Sequence, residues 1–178
     1  MTGVQKCALP ILKAAVWGPV DNAPLEDRDD VLVYRTAPLQ EPLAFAGNPQ
    51  VQLFVSADTV DADWVVKLID VHPDGRAFNL ATGLQRARYR KSLQQPELLQ
   101  PNEICELTID LGPCAASIAA GHRLQIDICG SLFPLFDRNP NTAAGIFGHQ
   151  TAVSNEQVHH SPETLSRLIL PVIPPTQR

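Results

Sequence analysis

From residue 31 onward the apolar positions fall in short blocks rather than in long runs with helical spacing. Val31-Leu32-Val33-Tyr34 reads as a first strand, closed by Ala37-Pro38, and residues 42–45 read as a second, ended by Gly47-Asn48-Pro49. Val51, Leu53 and Val55 alternate with Gln52, Phe54 and Ser56, the period-two pattern of a strand with one buried face. Residues 64–71 are apolar at nearly every position, which predicts a strand in the middle of a sheet. Pro73-Asp74-Gly75 supplies turn chemistry for a hairpin, with residues 76–80 as the return strand. Residues 86–90 are a further candidate strand, followed by a proline-punctuated loop over 92–102.

The second half repeats the theme. Residues 104–111 alternate, Gly121-His122-Arg123 marks a turn, and Leu124, Ile126 and Ile128 form one face with Gln125, Asp127 and Cys129 opposite. Residues 134–148 read as a long loop rich in Asn, Pro and Gly, and 151–159 and 165–172 as the last strands. No stretch predicts a helix longer than a turn or two. This spacing predicts an all-β fold, a jelly-roll-like β-sandwich of about eight to nine strands. Residues 1–11 have neither periodicity and resemble translated sequencing-adapter read-through. Residues 1–16 are therefore expected to be non-native or unstructured, with one β-domain over 17–178.

Composition strengthens the β reading. The 16 prolines among 178 residues are about 9%, against a usual roughly 5%, and proline favours turns and sheet edges over helix interiors. Apolar residues at 44% and charged residues at 19% are enough for a real core. A net charge of −5 argues against a nucleic-acid partner, because phosphates attract basic surfaces. The basic run from Arg86 to Lys91 is expected to be a solvated strand end. No apolar run approaches the roughly 20 residues that span a bilayer as a helix, so no membrane partner is expected. Cys7, Cys105, Cys114 and Cys129 form no CxxC pair and read as free thiols, Cys105 and Cys129 within apolar strands. Free thiols favour a reducing compartment such as the cytoplasm.

The search for chemistry yields little. No G-x-S-x-G elbow exists, and Ser131, after Gly130, leads into Leu132-Phe133-Pro134 without a second glycine. His72 and His122 sit at turn edges, where capping or surface roles are the ordinary reading. His159 and His160 are adjacent strand residues that point to opposite faces and chelate one ion poorly. Asp58, Asp61 and Asp63, like Asp27, Asp29 and Asp30, lack the spacing of a calcium loop and read as solvated turns. Arg28 and Asp30 flank the first strand and are candidates to pair with another domain. No phosphate cradle or dinucleotide fingerprint is present, so neither cofactor nor metal is expected, and no catalytic residue is named.

Three segments carry a family resemblance. They are GPVDNAPLEDRDDVLVYRTAPLQEPL from Gly18, DADWVVKLIDVHPDGRAFNLATGLQRARYR from Asp61, and GHRLQIDICGSLFPLFDRNPNT from Gly121. In this order they resemble the C-terminal domain of the CocE/NonD hydrolases, which include cocaine esterases and X-prolyl dipeptidyl peptidases. The resemblance implies a galactose-binding-type β-sandwich packed on an α/β-hydrolase domain. That domain carries the whole Ser-Asp-His triad, upstream of where this chain begins. The implied partner is thus the hydrolase domain, with a homodimer contact as a further option. The loop holding Phe133, Phe136, Asp137, Arg138 and Asn139 is the expected interdomain surface, since it combines aromatics with both charges. It has a bland alternative, folding back over its own sandwich. A freestanding carbohydrate- or protein-binding module is the competing function, disfavoured because only two tryptophans and two tyrosines are available for sugar platforms.

Overall fold

The computed structural model describes the backbone of residues 3–6 and all of residues 20–174. It contains eleven strands among the described residues: β1 (Gly3–Lys6), β2 (Val31–Arg35), β3 (Leu43–Gly47), β4 (Gln50–Ala57), β5 (Asp63–Val71), β6 (Ala77–Arg86), β7 (Cys105–Asp110), β8 (Cys114–Ile118), β9 (Arg123–Cys129), β10 (Asn155–His159) and β11 (Arg167–Ile169). Three single 3₁₀ turns, at Ala23–Leu25, Ala87–Tyr89 and Gly145–Phe147, are the only helical elements described. The all-β reading is met.

The strands form two main antiparallel sheets and a short ribbon. One sheet centres on β4, which has β7 along one side, while β10 and β11 share the other. β10 covers residues 54–57 of β4 and β11 covers 50–52, so the two short strands act as halves of one edge. β1 lies outside β10, with Gly3 opposite Val158. The second sheet runs β2-β9-β5-β6, and β3 pairs with β8 as the ribbon. β1 falls in the stretch expected to be unstructured, and the rest of that stretch lies outside the described residues.

The core follows from the alternation. Val51, Leu53 and Val55 of β4 face Trp64, Val66 and Leu68 of β5 across the sandwich, joined by Leu107 and Ile109 of β7 and Ile128 of β9. Truncating any one of these large side chains to alanine typically costs about 2–5 kcal/mol. β5 is buried on both faces, as its continuous apolar pattern predicted. Its outer face is sealed by the lead-in segment around residues 22–31, where Val31 joins Val65, Cys129 and Leu132 in a second cluster. That same cover buries Lys67, whose Nζ donates to Asn22 Oδ1 at 2.8 Å.

Two strand assignments change. The candidate strand at residues 86–90 does not form: β6 runs on to Arg86, and the chain then closes a 3₁₀ turn over Ala87–Tyr89. Ala87 is fully buried there, its N–H bonded to the Ala62 carbonyl at 2.9 Å, which pins the turn against the start of β5. β8, with the sequence CAASI, was not anticipated. Its small residues give too weak an apolar alternation to read, and the pairing with β3 defines it.

Candidate docking loop and its buried anchor

The long loop after β9 is attached to the sandwich by four charged residues. Asp63 opens β5 and Arg86 ends β6, directly opposite each other in the ladder. The guanidinium donates from Nε to Asp63 Oδ1 at 2.8 Å and from Nη2 to Oδ2 at 2.9 Å, a two-pronged ion pair. Two residues along each chain, Arg88 donates from Nε to Asp61 Oδ2 at 2.7 Å, and its backbone N–H reaches Asp61 Oδ1 at 3.0 Å. Asp61 and Asp63 are 0% and 1% exposed.

These pairs hold the loop. Arg86 reaches Asp137, with Nη1 to Oδ2 at 3.3 Å and Nη2 to the backbone carbonyl at 3.2 Å. Arg88 donates to the carbonyls of Thr142 at 2.5 Å and Ala143 at 3.3 Å. Asn139 Nδ2 lies 2.8 Å from both Asp61 Oδ2 and Asp63 Oδ1, and its own Oδ1 accepts the N–H of Asn141 at 2.9 Å. Gly145 is required beside this anchor: its φ is +58°, and a Cβ there would sit 2.8 Å from Arg88 Nη1.

The electrostatics follow from burial. Desolvation pushes the Asp63 carboxyl up, and the Arg86 contact pulls it back. The same contact raises the guanidinium further. Glu156 on β10 is buried close by, and its carboxyl oxygens would be 3.2 Å from a Cβ on Gly130. Burial first, then the charge of Asp63, raises Glu156 well above the usual carboxylate range. Its Oε2 has no hydrogen-bond partner, consistent with a carboxyl held protonated.

The expected solvated roles of Asp61, Asp63 and the Arg86–Lys91 run are therefore corrected for the aspartates, Arg86, Arg88 and Arg90, the last donating to the Ala87 and Glu97 carbonyls at 3.1 and 2.5 Å. The loop explains why: Ala62, Trp64 and Ala87 are fully buried, and the opposite side is covered by Asn139 and by the carbonyls of Asp137, Thr142 and Ala143. The available signal was two aspartates at i and i+2 matched by two arginines at i and i+2. Asp58 does remain solvent-facing, hydrogen-bonded to Asn155 at 2.8 and 2.5 Å. Arg28 and Asp30 pair with each other, at 2.6 and 2.7 Å.

The five loop residues named from the sequence divide into base and tip. Asn139 is buried in the anchor, and Phe133 is half-buried beneath Arg138, whose guanidinium carbon lies 4.9 Å from the ring centre. Phe136 is 37% exposed, and Asp137 and Arg138 are exposed. Sequence reasoning missed three further exposed apolar side chains on the same loop, Leu135, Ile146 and Phe147, the last 89% exposed. A pocket of about 500 Å³ opens in the later part of the loop, lined by residues including Thr142, Ala143, Gly148 and His149.

Elsewhere His159 and His160 take separate partners, while His72 and His122 share Asp70. Ser56 Oγ lies 2.9 Å from His159 Nε2, and His160 Nε2 lies 2.9 Å from Tyr34 Oη. No carboxylate is bonded to His159, so among the described residues the Ser56–His159 contact is not part of a triad. Cys105, Cys114 and Cys129 are free thiols, with Cys7 outside the described residues. Burial pushes the Cys129 thiol up to about 12, which makes it inert as a nucleophile. Trp64 is fully buried and offers no sugar platform. No described helix is long and apolar enough to cross a membrane.

The described residues form an antiparallel sandwich of two main sheets and a ribbon, and its long β9–β10 loop is tied down by two buried Asp–Arg pairs. Residues 9–169 match the X-Pro dipeptidyl-peptidase C-terminal non-catalytic domain, and the chain belongs to that family. It is 42% identical over 161 residues to a cocaine esterase from Rhodococcus sp. (strain MB1 Bresler), an alignment covering 88% of this chain and 28% of the relative. An α-amino acid ester hydrolase superposes with a TM-score of 0.90 at 33% identity, over 97% of this chain and 32% of its own. An aminopeptidase from a marine-sediment Thaumarchaeota archaeon gives 0.89 at 31%, over 98% and 33%. The expected membership of the CocE/NonD C-terminal domain is thus met, and the chain spans about a third or less of these relatives' lengths.

Proposed function

We propose that this chain is the docking domain of a serine hydrolase that cleaves ester or X-Pro peptide bonds, seated on an α/β-hydrolase domain and inactive without it. The observation that carries this reading is the loop after β9. It exposes Leu135, Phe136, Ile146 and Phe147 while its base is fixed by two buried Asp–Arg pairs. A rigid loop presenting apolar tips and the opposite charges of Asp137 and Arg138 has the composition of a mixed apolar and ionic interface.

The occupant of that surface is the hydrolase domain because the relatives are about three times the length of the matched region. Their names, a cocaine esterase, an amino acid ester hydrolase and an aminopeptidase, share one chemistry. Each reaction attacks an acyl carbon, for which a serine nucleophile, a histidine base and an orienting carboxylate are the standard machinery. The pocket beside Thr142 and His149 supports a second role for the loop, forming one wall of the substrate site.

The test is binding in trans. The parent's hydrolase domain, expressed separately, should bind this chain and turn over a simple aryl ester faster with it than without it. The chain alone should leave the ester untouched. Ester hydrolysis by the chain alone, or no association with the hydrolase domain, overturns the reading.

A further inference from the structure

Asp70, His72 and His122 form a cluster separate from the loop anchor. Asp70 lies near the end of β5 and His72 follows two residues later, so both project from the same face of the strand. In the β5–β9 ladder Asp70 faces Leu124 and Val71 faces Arg123. One further step sets His72 opposite His122. The two imidazole rings are 4.3 Å apart between centres. His122 Nδ1 lies 2.8 Å from Asp70 Oδ1, and His72 Nε2 lies 3.7 Å from Asp70 Oδ2. One donor atom from each residue falls within 4.8 Å of the other two.

The backbone under these donors is held by turns. The His72 N–H bonds the Arg76 carbonyl at 2.8 Å, and the His72 carbonyl accepts from Gly75 at 2.9 Å. The His122 N–H bonds the Ala119 carbonyl at 3.2 Å, and its carbonyl accepts from Leu39 at 2.8 Å. Phe78 packs edge-on against His72, with ring centres 5.2 Å apart. The three side chains therefore converge from strand ends and tight turns, the kind of scaffold that keeps a site in shape.

We propose that Asp70, His72 and His122 bind a divalent transition-metal ion of the zinc class, with solvent completing the coordination. Two imidazoles and one carboxylate are a recurrent zinc donor set. Hard ions such as magnesium and calcium prefer oxygen alone, so two nitrogens select against them. A tetrahedral ion about 2.0–2.1 Å from each donor needs donor atoms separated by roughly 3.3 Å, within the range these side chains span. Their side chains are 29%, 18% and 14% exposed for His72, His122 and Asp70, which leaves an entry path. His72 also borders a pocket of about 310 Å³ with Arg123 on its lining, giving room for a water ligand. The ion would tie the β5–β6 turn to the β8–β9 turn.

The experiment is a calorimetric titration of the chelator-treated 178-residue chain with zinc chloride. One equivalent should bind, and His72→Gln and His122→Gln, each removing a direct ligand, should weaken binding by more than the roughly 10–100-fold that loss of an outer-shell partner costs. His160→Gln should bind as the wild type does, because its Nε2 is engaged with Tyr34. Zinc should raise the wild-type melting temperature and leave that of the two site variants unchanged. Absence of one-equivalent binding, or binding that survives both site substitutions, overturns the proposal. Should the variants misfold, long-range ¹H–¹⁵N spectra of the wild-type imidazoles decide the matter. Zinc must shift ring nitrogens of His72 and His122, and shifts confined to His149, His159 or His160 overturn it.

Discussion

Asp63 and Arg86 face each other across the β5–β6 ladder and close a two-pronged ion pair at 2.8 and 2.9 Å, with the aspartate almost sealed from water. Removing one member of such a pair strands the other charge. Asp63→Ala should destabilise the domain by about 3–5 kcal/mol. The double replacement Asp63→Leu with Arg86→Met should cost far less than the two single changes added, because no lone charge is left behind. Urea unfolding of the two single variants and the double variant closes the cycle, and strict additivity would sink the account.

Phe136 carries the proposed docking contact most directly among the aromatic residues named from the sequence. Its side chain is 37% exposed on a loop whose fixed points are Asn139 and Asp137. Phe136→Ser should lower the stability of this chain by no more than about 1–2 kcal/mol and leave it folded, because part of the ring is already in water. Its affinity for the hydrolase domain should fall by tenfold or more, as expected for an aromatic anchor. Titrating the hydrolase domain with both forms of the chain measures this. Loss of the fold in the isolated variant would mean that the loop packs on its own sandwich.

Asp127 gives the domain an acid-favouring contribution. Burial pushes its carboxyl up to about 6, against partial relief from the Gln125 amide at 2.7 Å and the charge of Lys67, while Glu26 pushes it further. The unfolded value is about 3.9, so between these two pH values the folded state binds more protons than the unfolded state. Its contribution is full below about pH 3.9 and is lost as the pH rises through about 6. Asp127→Asn should remove this part of the pH dependence, worth at most about 2–3 kcal/mol. Asp63 and Glu156, also raised by burial, remain in both proteins. The comparison is urea unfolding of wild type and variant at pH 4.0 and 6.5. Parallel behaviour at the two pH values would show that Asp127 is not the group responsible.

The strands were legible because their alternation is local. Val51, Leu53 and Val55 reveal β4 without knowledge of any partner, and the turn at Gly121-His122-Arg123 announces β9. β8 was not legible because Ala115 and Ala116 supply little contrast between its faces, and only the ribbon with β3 gives it shape. The anchor was missed for another reason. A buried aspartate and an exposed one look alike in sequence until the opposing arginine, 23 residues away for Asp63 and 27 for Asp61, is brought across the ladder. His72 and His122 are 50 positions apart and share no motif, yet the register of β5 and β9 makes them neighbours. The loop from Phe133 was legible as an unusual surface, whereas its separation into a buried base and an apolar tip depends on contacts with Asp61 and Arg86.

Gly83, in the middle of β6, is fixed by the approach of another strand rather than by its backbone angle. A Cβ built there would lie 2.3 Å from the carbonyl oxygen of Asp110, and 2.9 Å from both Ile109 Cγ2 and Leu111 Cδ2. The two side chains have some freedom to move aside, but the carbonyl belongs to β7, whose Asp110 faces Gln50 of β4. Gly83→Ala should accordingly destabilise by about 1–3 kcal/mol or more, as overpacking does, despite the higher strand propensity of alanine. Because the nearest contact is with backbone, trimming Leu111 to alanine in the Gly83→Ala chain should give no rescue and should add its own cavity cost. Thermal melts of the two single variants and the double variant measure this. A double variant more stable than Gly83→Ala alone would show instead that the side-chain contacts dominate and that β7 has room to move.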